Sequence, residues 1–572
     1  MNAFANSNTF KTLISIEHSL IIAVVLGLVA FFFPRLGARS FRFLEHKLSA
    51  LASHRVRAIF ILFFAVIALR VLLLPLLRVP VPGIHDEFSY LLMGDTFAHG
   101  RLANPPHPMW VSFETFHVNW FPTYSSMYPP AQGFVLAIGQ LLGNPWIGVL
   151  LSTAAMCAAI FWMLLGWMPS RWALAGAAMA ALKLGIASYW MNSYWGGSVA
   201  AIGGALVLGA LPRIVKRGKA RDAILLGLGI AILANSRPYE GILFCIPGAI
   251  WLLWWLGGKT KSWVSPGERV RRVLLPLCAT LLLTAVFMGY YNWRLTGNPL
   301  LLPHRLNART YNSVPLFLWQ HPAPQIEYRN QQFEDFYNLW QRQNYYVTAR
   351  DIARVSGEKI FRGGLTYLWV GILLALPGAI FVLRDRRMRV PLITLLVCGP
   401  GVFIIIWSNP HYAAPLTCVI FAMLVQSLRH LRTMQFSGHP VGLALSRAVI
   451  ILLAIDTATN AARHVCDPLL WPCQGDISRV AITKRLENTP GKHLVVVRYA
   501  KDHNIHDEWV YNAADIDAAK IVWARDIDAV QNAKLFAYFK DRHIWVIDPD
   551  VDNTTLLPYS VRDQNSPASA AE

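Results

Sequence analysis

Two acids stand side by side in His85-Asp86-Glu87-Phe88-Ser89-Tyr90, directly after an apolar run. Carboxylates at such a boundary are costly unless they are solvated or used. The use open to them is general-base chemistry, taking a proton from a hydroxyl or polarising it; the alternative is a solvated loop start. The polar stretch continues with Asp95, His99, Arg101, His107, Trp110, Glu114, His117 and Trp120, and ends at Tyr128-Pro129-Pro130. These types suit sugars, because rings stack on pyranose faces and carboxylates accept hydroxyl hydrogen bonds. Arg237 lies in AsnSerArgProTyrGlu between two apolar runs, and Arg294, His304, Arg305 and Arg309 open a second polar stretch. A guanidinium fork grips two phosphate oxygens, so Arg237 first and Arg305 second are candidate phosphate clamps. The structural alternatives are an ion pair of Arg237 with Glu240 and a solvated face for Arg305 and Arg309.

These residues need a scaffold, and composition says of what kind. The chain has 572 residues, 55% hydrophobic and 15% charged, where a soluble domain carries about 25% charged residues. The apolar content excludes disorder, and seven cysteines are too sparse for a disulfide scaffold. Apolar runs recur at about 19–34, 58–78, 145–168, 172–189, 197–212, 222–235, 241–257, 273–291, 363–383, 391–407, 412–428 and 443–460. They predict an α-helical polytopic membrane protein with about twelve transmembrane helices. No small-residue cleavage site follows the first run, so it is expected to be retained. Much of the net charge of +20 sits in short gaps at 35–57, 213–221, 259–272, 384–389 and 429–432. Alternation puts all of these on one face, the positive-inside pattern, which makes the charge a topology signal and not a nucleic-acid footprint. The polar loops 79–130 and about 292–362, segment 462–572 and both termini then lie on the other face. The expected division is 1–57, a helix and basic cytoplasmic loop; 58–461, the transmembrane domain with both loops; and 462–572, an α/β domain and tail. In a bacterium this is an inner-membrane protein with its C-terminal domain in the periplasm.

Segment 462–572 has its own pattern. Strands are expected at 493–499, 520–526 and 543–548 and a helix at 529–541, giving a small βαβ unit with a parallel sheet. No glycine-rich phosphate loop occurs there, and the terminal NSPASAAE reads as a frayed tail. Cys466 and Cys473 would face an oxidising compartment, as a disulfide or as two thiols. Cys157, Cys245, Cys278, Cys398 and Cys418 fall in apolar runs as packing residues. His503, His506, Asp507 and Glu508 cluster, but their spacing fits no standard zinc site. Small residues at helical spacing in 196–205 point to close helix packing.

AspGlu after an early apolar run, then Tyr90-Leu91-Leu92-Met93-Gly94-Asp95, then Tyr128-Pro129-Pro130 leading into an apolar segment, resembles the first periplasmic loop of the GT-C glycosyltransferases. More narrowly it resembles the branch of protein O-mannosyltransferases, lipid A aminoarabinose transferases and rhizobial galacturonosyltransferases. His411-Tyr412-Ala413-Ala414-Pro415 is similar to their RY-x-x-P segment. The resemblance covers about 58–430. It implies transfer of a sugar from a polyprenyl-phosphate donor to a lipid, glycan or protein acceptor outside the cytoplasm, within the lipid bilayer's reach. Asp86 then becomes the catalytic base with Glu87 beside it. Tyr90, Glu114, His117, Tyr128, Arg237, Arg305, His411 and Tyr412 become substrate-binding residues. Two departures matter: Met127-Tyr128 stands where the aminoarabinose enzymes often carry a lysine before ProPro, and His411 replaces the arginine of RY. The phosphate's cation must come from elsewhere in the chain. No cofactor is fixed by the resemblance, since some relatives need a divalent ion and others do not, and no metal ligand is assigned. The rival readings are a secondary transporter and a non-catalytic envelope assembly protein; no internal repeat supports the first.

Overall fold

The computed structural model describes residues 2–258, 264–343, 345, 348–367, 371–407, 409–463 and 477–559. It is mostly helical with a small C-terminal sheet, and each of the twelve apolar runs coincides with a helix or a helix pair. Six helices are long and apolar enough to cross a membrane: Pro145–Leu164, Ser198–Arg217, Pro238–Leu256, Pro266–Thr296, Pro410–Arg432 and Val441–Ala462. The bent pair Arg350–Tyr367 and Ile372–Val382 makes a seventh if it is one span. Twelve apolar runs thus do not give twelve full-length spans among the described residues. Ser170–Leu184, Ala220–Ala234 and Arg389–Phe403 have 15 residues each, about 22 Å of helix against a core of about 30 Å. Arg55–Leu72 has 18 residues but includes three arginines. One of them, Arg70, is buried and donates to the carbonyls of Leu77 and Arg78 and to Asn192 at 2.8, 3.1 and 2.8 Å. That charge is therefore buried inside the bundle on three acceptors, with its Nε left without a partner among the described residues.

Helix ends follow local chemistry. Asn144 accepts the Trp146 N–H at 2.9 Å and Pro145 fills the first position, starting Pro145–Leu164. A Cβ on Gly204 would lie 2.3 Å from the Pro415 carbonyl oxygen. Glycine there lets Ser198–Arg217 press against the turn Pro410–Leu416, the close packing that 196–205 signals, and so fixes the turn carrying His411 and Tyr412. The basic gap 35–57 holds an unforeseen amphipathic helix, Ala38–Ser53. Its Glu45 accepts from Arg432 at 2.8 and 3.1 Å and from Arg447 at 2.9 Å. Gaps 35–57 and 429–432, grouped by charge, are thus neighbours in space.

Loop 79–130 is largely ordered as helix His85–Ala98 and a short hairpin, Val118–Asn119 with Ser125–Ser126, and leads into a further helix, Ala131–Leu141. Against it packs a four-stranded C-terminal sheet. Its central strand Lys492–Val497 pairs in parallel with Ile521–Arg525 on one side and Arg542–Asp548 on the other. Helix Ala529–Tyr538 connects the two flanking strands, as the sequence indicates. The strand Asp552–Pro558 adds an antiparallel edge that the pattern did not reveal. Six of its seven residues are exposed, so it lacks the buried alternation by which strands are read. Leu92, Phe113, Val118, Trp120 and Tyr124 of the loop share a core with Leu494, Val522 and Ala524 of the sheet and Leu535 of its helix. Cys466, Cys473, Lys259, Lys261 and the tail from 560 onward lie outside the described residues.

Candidate active site

The paired acids take different environments. Both sit in the first turn of His85–Ala98, where negative charge suits the helix N-terminus. Glu87 turns inward: one carboxylate oxygen accepts the Gly83 N–H at 2.8 Å, the other the Tyr194 N–H at 2.9 Å. Burial nevertheless pushes its pKa up to about 7. Asp86, one position earlier, stays half-buried and accepts a hydrogen bond from the Tyr128 hydroxyl. Tyr128 stacks on Tyr90, with ring centroids 4.3 Å apart, and burial raises both phenols above their ordinary range.

The hairpin of the first loop holds Tyr128 in place. Ser89 donates to the His117 carbonyl at 2.7 Å and meets the Ser126 hydroxyl at 2.7 Å, and the Met127 N–H reaches the same carbonyl at 3.1 Å. His117 adopts φ 60, a left-handed conformation rare for a residue with a Cβ. Its carbonyl is held from two sides, and its ring lies 6.0 Å from that of Tyr128.

Arg237 joins this group from the start of helix Pro238–Leu256. The Ala131 N–H, just after ProPro, donates to the Asn235 carbonyl at 2.9 Å and ties the two segments. The Arg237 guanidinium lies over the Tyr412 ring at 4.1 Å. Its charge acts on Tyr90, Tyr128, Tyr412 and Glu240, and that of Asp86 on the same three tyrosines. A carboxylate and a guanidinium therefore share a trio of phenols. His411, buried behind them, meets the Tyr189 hydroxyl at 3.1 Å and packs its ring 4.7 Å from that of Trp195.

Histidines complete the wall. Burial lowers His85 and His117 below the usual imidazole range and brings His304 and His506 to about 4. The charge of Asp86 counteracts this at His117 and His506, while the cationic form of His117 and Arg237 would disfavour a proton on His304. His304 and His506, at about 4, are uncharged at neutral pH, and burial disfavours a charge on His85 and His117. His506 is delivered by the C-terminal domain and stacks with His85 at 6.0 Å.

Two expected residues lie elsewhere. Arg305 is exposed on helix Pro303–Tyr311, whose His304 is the residue in electrostatic reach of Arg237 and His117. Glu114 is buried and faces the second loop: Tyr311 donates to it at 3.0 Å, Arg329 stands 4.0 Å away, and Arg525 of the sheet donates to its main-chain oxygen at 2.7 Å. His304, His506 and Arg525 were not in the expected set. His506 belonged to a cluster weighed only as a metal site, and nothing in spacing joins it to Asp86. Among the described residues no group of three or more His, Cys, Asp or Glu is arranged to hold a metal ion.

The arrangement offers a carboxylate that accepts one hydrogen bond, a fixed cation beyond three phenols, and imidazoles able to donate or accept. It can deprotonate a hydroxyl at one end and hold an oxyanion at the other.

No protein-family model and no curated protein sequence matches the chain. Among solved structures it is similar to ArnT from Cupriavidus metallidurans in the apo state, at 14% identity and TM-score 0.48 over 86% of this chain and 93% of that one. The ArnT structure bound to undecaprenyl phosphate gives 15% identity and TM-score 0.47 over the same shares. The Archaeoglobus fulgidus oligosaccharyltransferase in the apo form gives 12% identity and TM-score 0.46 over 77% of this chain. The chain spans 62% of the length of that oligosaccharyltransferase.

Proposed function

We propose that this chain is a multi-pass membrane glycosyltransferase of the GT-C type. It moves a sugar from a polyprenyl-phosphate carrier to an acceptor hydroxyl on the non-cytoplasmic face. Asp86 takes the proton of the acceptor hydroxyl as its oxygen forms a bond to the anomeric carbon. The bond from that carbon to the carrier phosphate breaks, and its electron pair leaves with the polyprenyl phosphate. Arg237 faces the growing negative charge, in the role that a missing lysine before ProPro would otherwise fill. Tyr90, Tyr128 and Tyr412 line the space between base and cation, with His117 and His411 on its walls.

The observation that carries this reading is geometric: Tyr128 donates to Asp86 and stacks on Tyr90 at 4.3 Å, and Arg237 lies over Tyr412 at 4.1 Å. It joins the DE–YPP motif to a cation that the motif itself lacks. Under this reading the twelve apolar segments all insert, the shorter ones within the bundle. The units 1–57, 58–461 and 462–572 then act as a basic anchor, a catalytic membrane domain and a periplasmic α/β domain. A divalent ion is left open.

The test is transfer and donor hydrolysis in proteoliposomes, with polyprenyl-phosphate sugars as donors. Wild type should turn over donor and Asp86→Asn should not. Equal rates for the two proteins would overturn the reading.

A further inference from the structure

Glu114 lies away from the Asp86 group but lines a cleft of its own. The cleft has a volume of about 600 Å³ and runs between the two large loops, within the usual range for small-ligand sites of about 300–1,000 Å³. Its apolar walls are Trp110, Trp120 and Tyr328, with Phe121 edge-on to Trp110 at 5.1 Å. Its polar groups are Asn119, Thr310, Tyr311, Glu327 and Arg329, with Glu114 buried beneath them. Arg329 lies over the Trp110 ring at 4.7 Å. Trp120 is buried, and its indole N–H has no hydrogen-bond partner among the described residues.

We infer that this cleft binds an uncharged pyranose unit of a substrate. The inference rests on the glycosyltransferase reading. A neutral sugar presents apolar C–H faces and a hydroxyl edge, and the cleft supplies rings for the first and both donors and acceptors for the second. An anionic ligand meets Glu114 and, among the lining residues, Glu327, against one guanidinium already seated on Trp110. A cationic ligand meets Arg329.

The experiment is saturation-transfer NMR on the full-length chain in a detergent without a sugar headgroup. Methyl glycosides of neutral hexoses are the probes, and a methyl glucuronide and a methyl glucosaminide are the charged arms. At least one neutral glycoside should receive transfer at its ring protons. Its affinity should fall about tenfold in Trp110→Ala, the loss of one aromatic stack, and stay unchanged in Asp86→Asn. Trp110 is half-exposed, so this variant spares the core; Glu114→Gln is the second variant and should weaken binding too. No transfer to any neutral glycoside, stronger transfer to a charged arm, or binding undiminished in both variants overturns the inference. Failure of the glycosyltransferase reading appears separately, as unchanged donor turnover in Asp86→Asn, whatever the NMR gives.

Discussion

The hydroxyl of Tyr128 donates a hydrogen bond to Asp86 across 42 residues of sequence, closing the two ends of the first loop on each other. The bond keeps the carboxylate oriented while leaving its second oxygen for a substrate. Asp86→Asn should lower turnover by about 10²–10⁴ with the fold intact. Tyr128→Phe keeps the ring stack on Tyr90 and removes one bond to a charged group, for a smaller loss of about 10–100-fold. Initial rates in proteoliposomes, with circular dichroism as the folding control, check both; a larger loss in Tyr128→Phe than in Asp86→Asn would contradict the roles.

Arg237 is the proposed phosphate clamp. Arg237→Ala should cost about 10²–10³ in turnover, the scale for removing one donor to a developing oxyanion. Arg237→Lys keeps the charge and loses the fork, and should cost less. Arg305→Ala, on an exposed face, should change little. Donor titrations of the three variants separate them.

Glu87 binds two backbone N–H groups, so Glu87→Gln must turn its amide nitrogen toward one of them. A buried unsatisfied donor costs about 1–3 kcal/mol, and the melting temperature should fall. The pH dependence has a definite sign. A carboxyl raised from 4.5 to about 7 on folding binds its proton more tightly in the folded state. Its contribution to stability is complete below pH 4.5 and is lost as pH rises to about 7. Glu87→Gln should flatten that part of the stability profile, measured by thermal shift from pH 4.5 to 8.

His304 and His506 carry the opposite sign. Each falls from 6.5 to about 4 on folding, so the unfolded chain takes up the proton first. Their contribution is present above pH 6.5 and is lost as pH falls toward 4. Replacing His506 with Asn should reduce acid lability over that window, read as inactivation half-life at pH 5 against pH 7.5.

Reporter fusions test the topology. A fusion after Gly218, in a basic gap, should report the cytoplasm, and one after Pro558, beyond the last strand, the opposite side. Signals from the same side would overturn the orientation.

Much of this molecule is legible in its sequence because hydrophobic runs and one-sided charge are additive along the chain. The apolar helices and the first three strands of the sheet follow from such local patterns, whereas Ala38–Ser53 and the helices within the polar loops do not. The strand Asp552–Pro558 escapes because an exposed edge strand buries almost nothing. The span count escapes because an apolar run includes turn residues such as those after Leu164 and Leu184, and a helix ends where the backbone does. Asp86 and Tyr128 stand out by motif. His304, His506 and Arg525 do not, because only tertiary contact brings residues so distant in sequence to one place. The difference between Asp86 and Glu87 is likewise invisible: adjacent identical chemistries part only when one finds the backbone N–H groups of Gly83 and Tyr194.

The stacking of His506 on His85 imposes an order in time. His85, Asp86 and Tyr128 leave the ribosome early, but His506 and Arg525 are synthesised only after the apolar helices. The wall that His506 and Arg525 complete is thus added after Asp86 and Arg237, once the strands around Lys492–Val497 have paired.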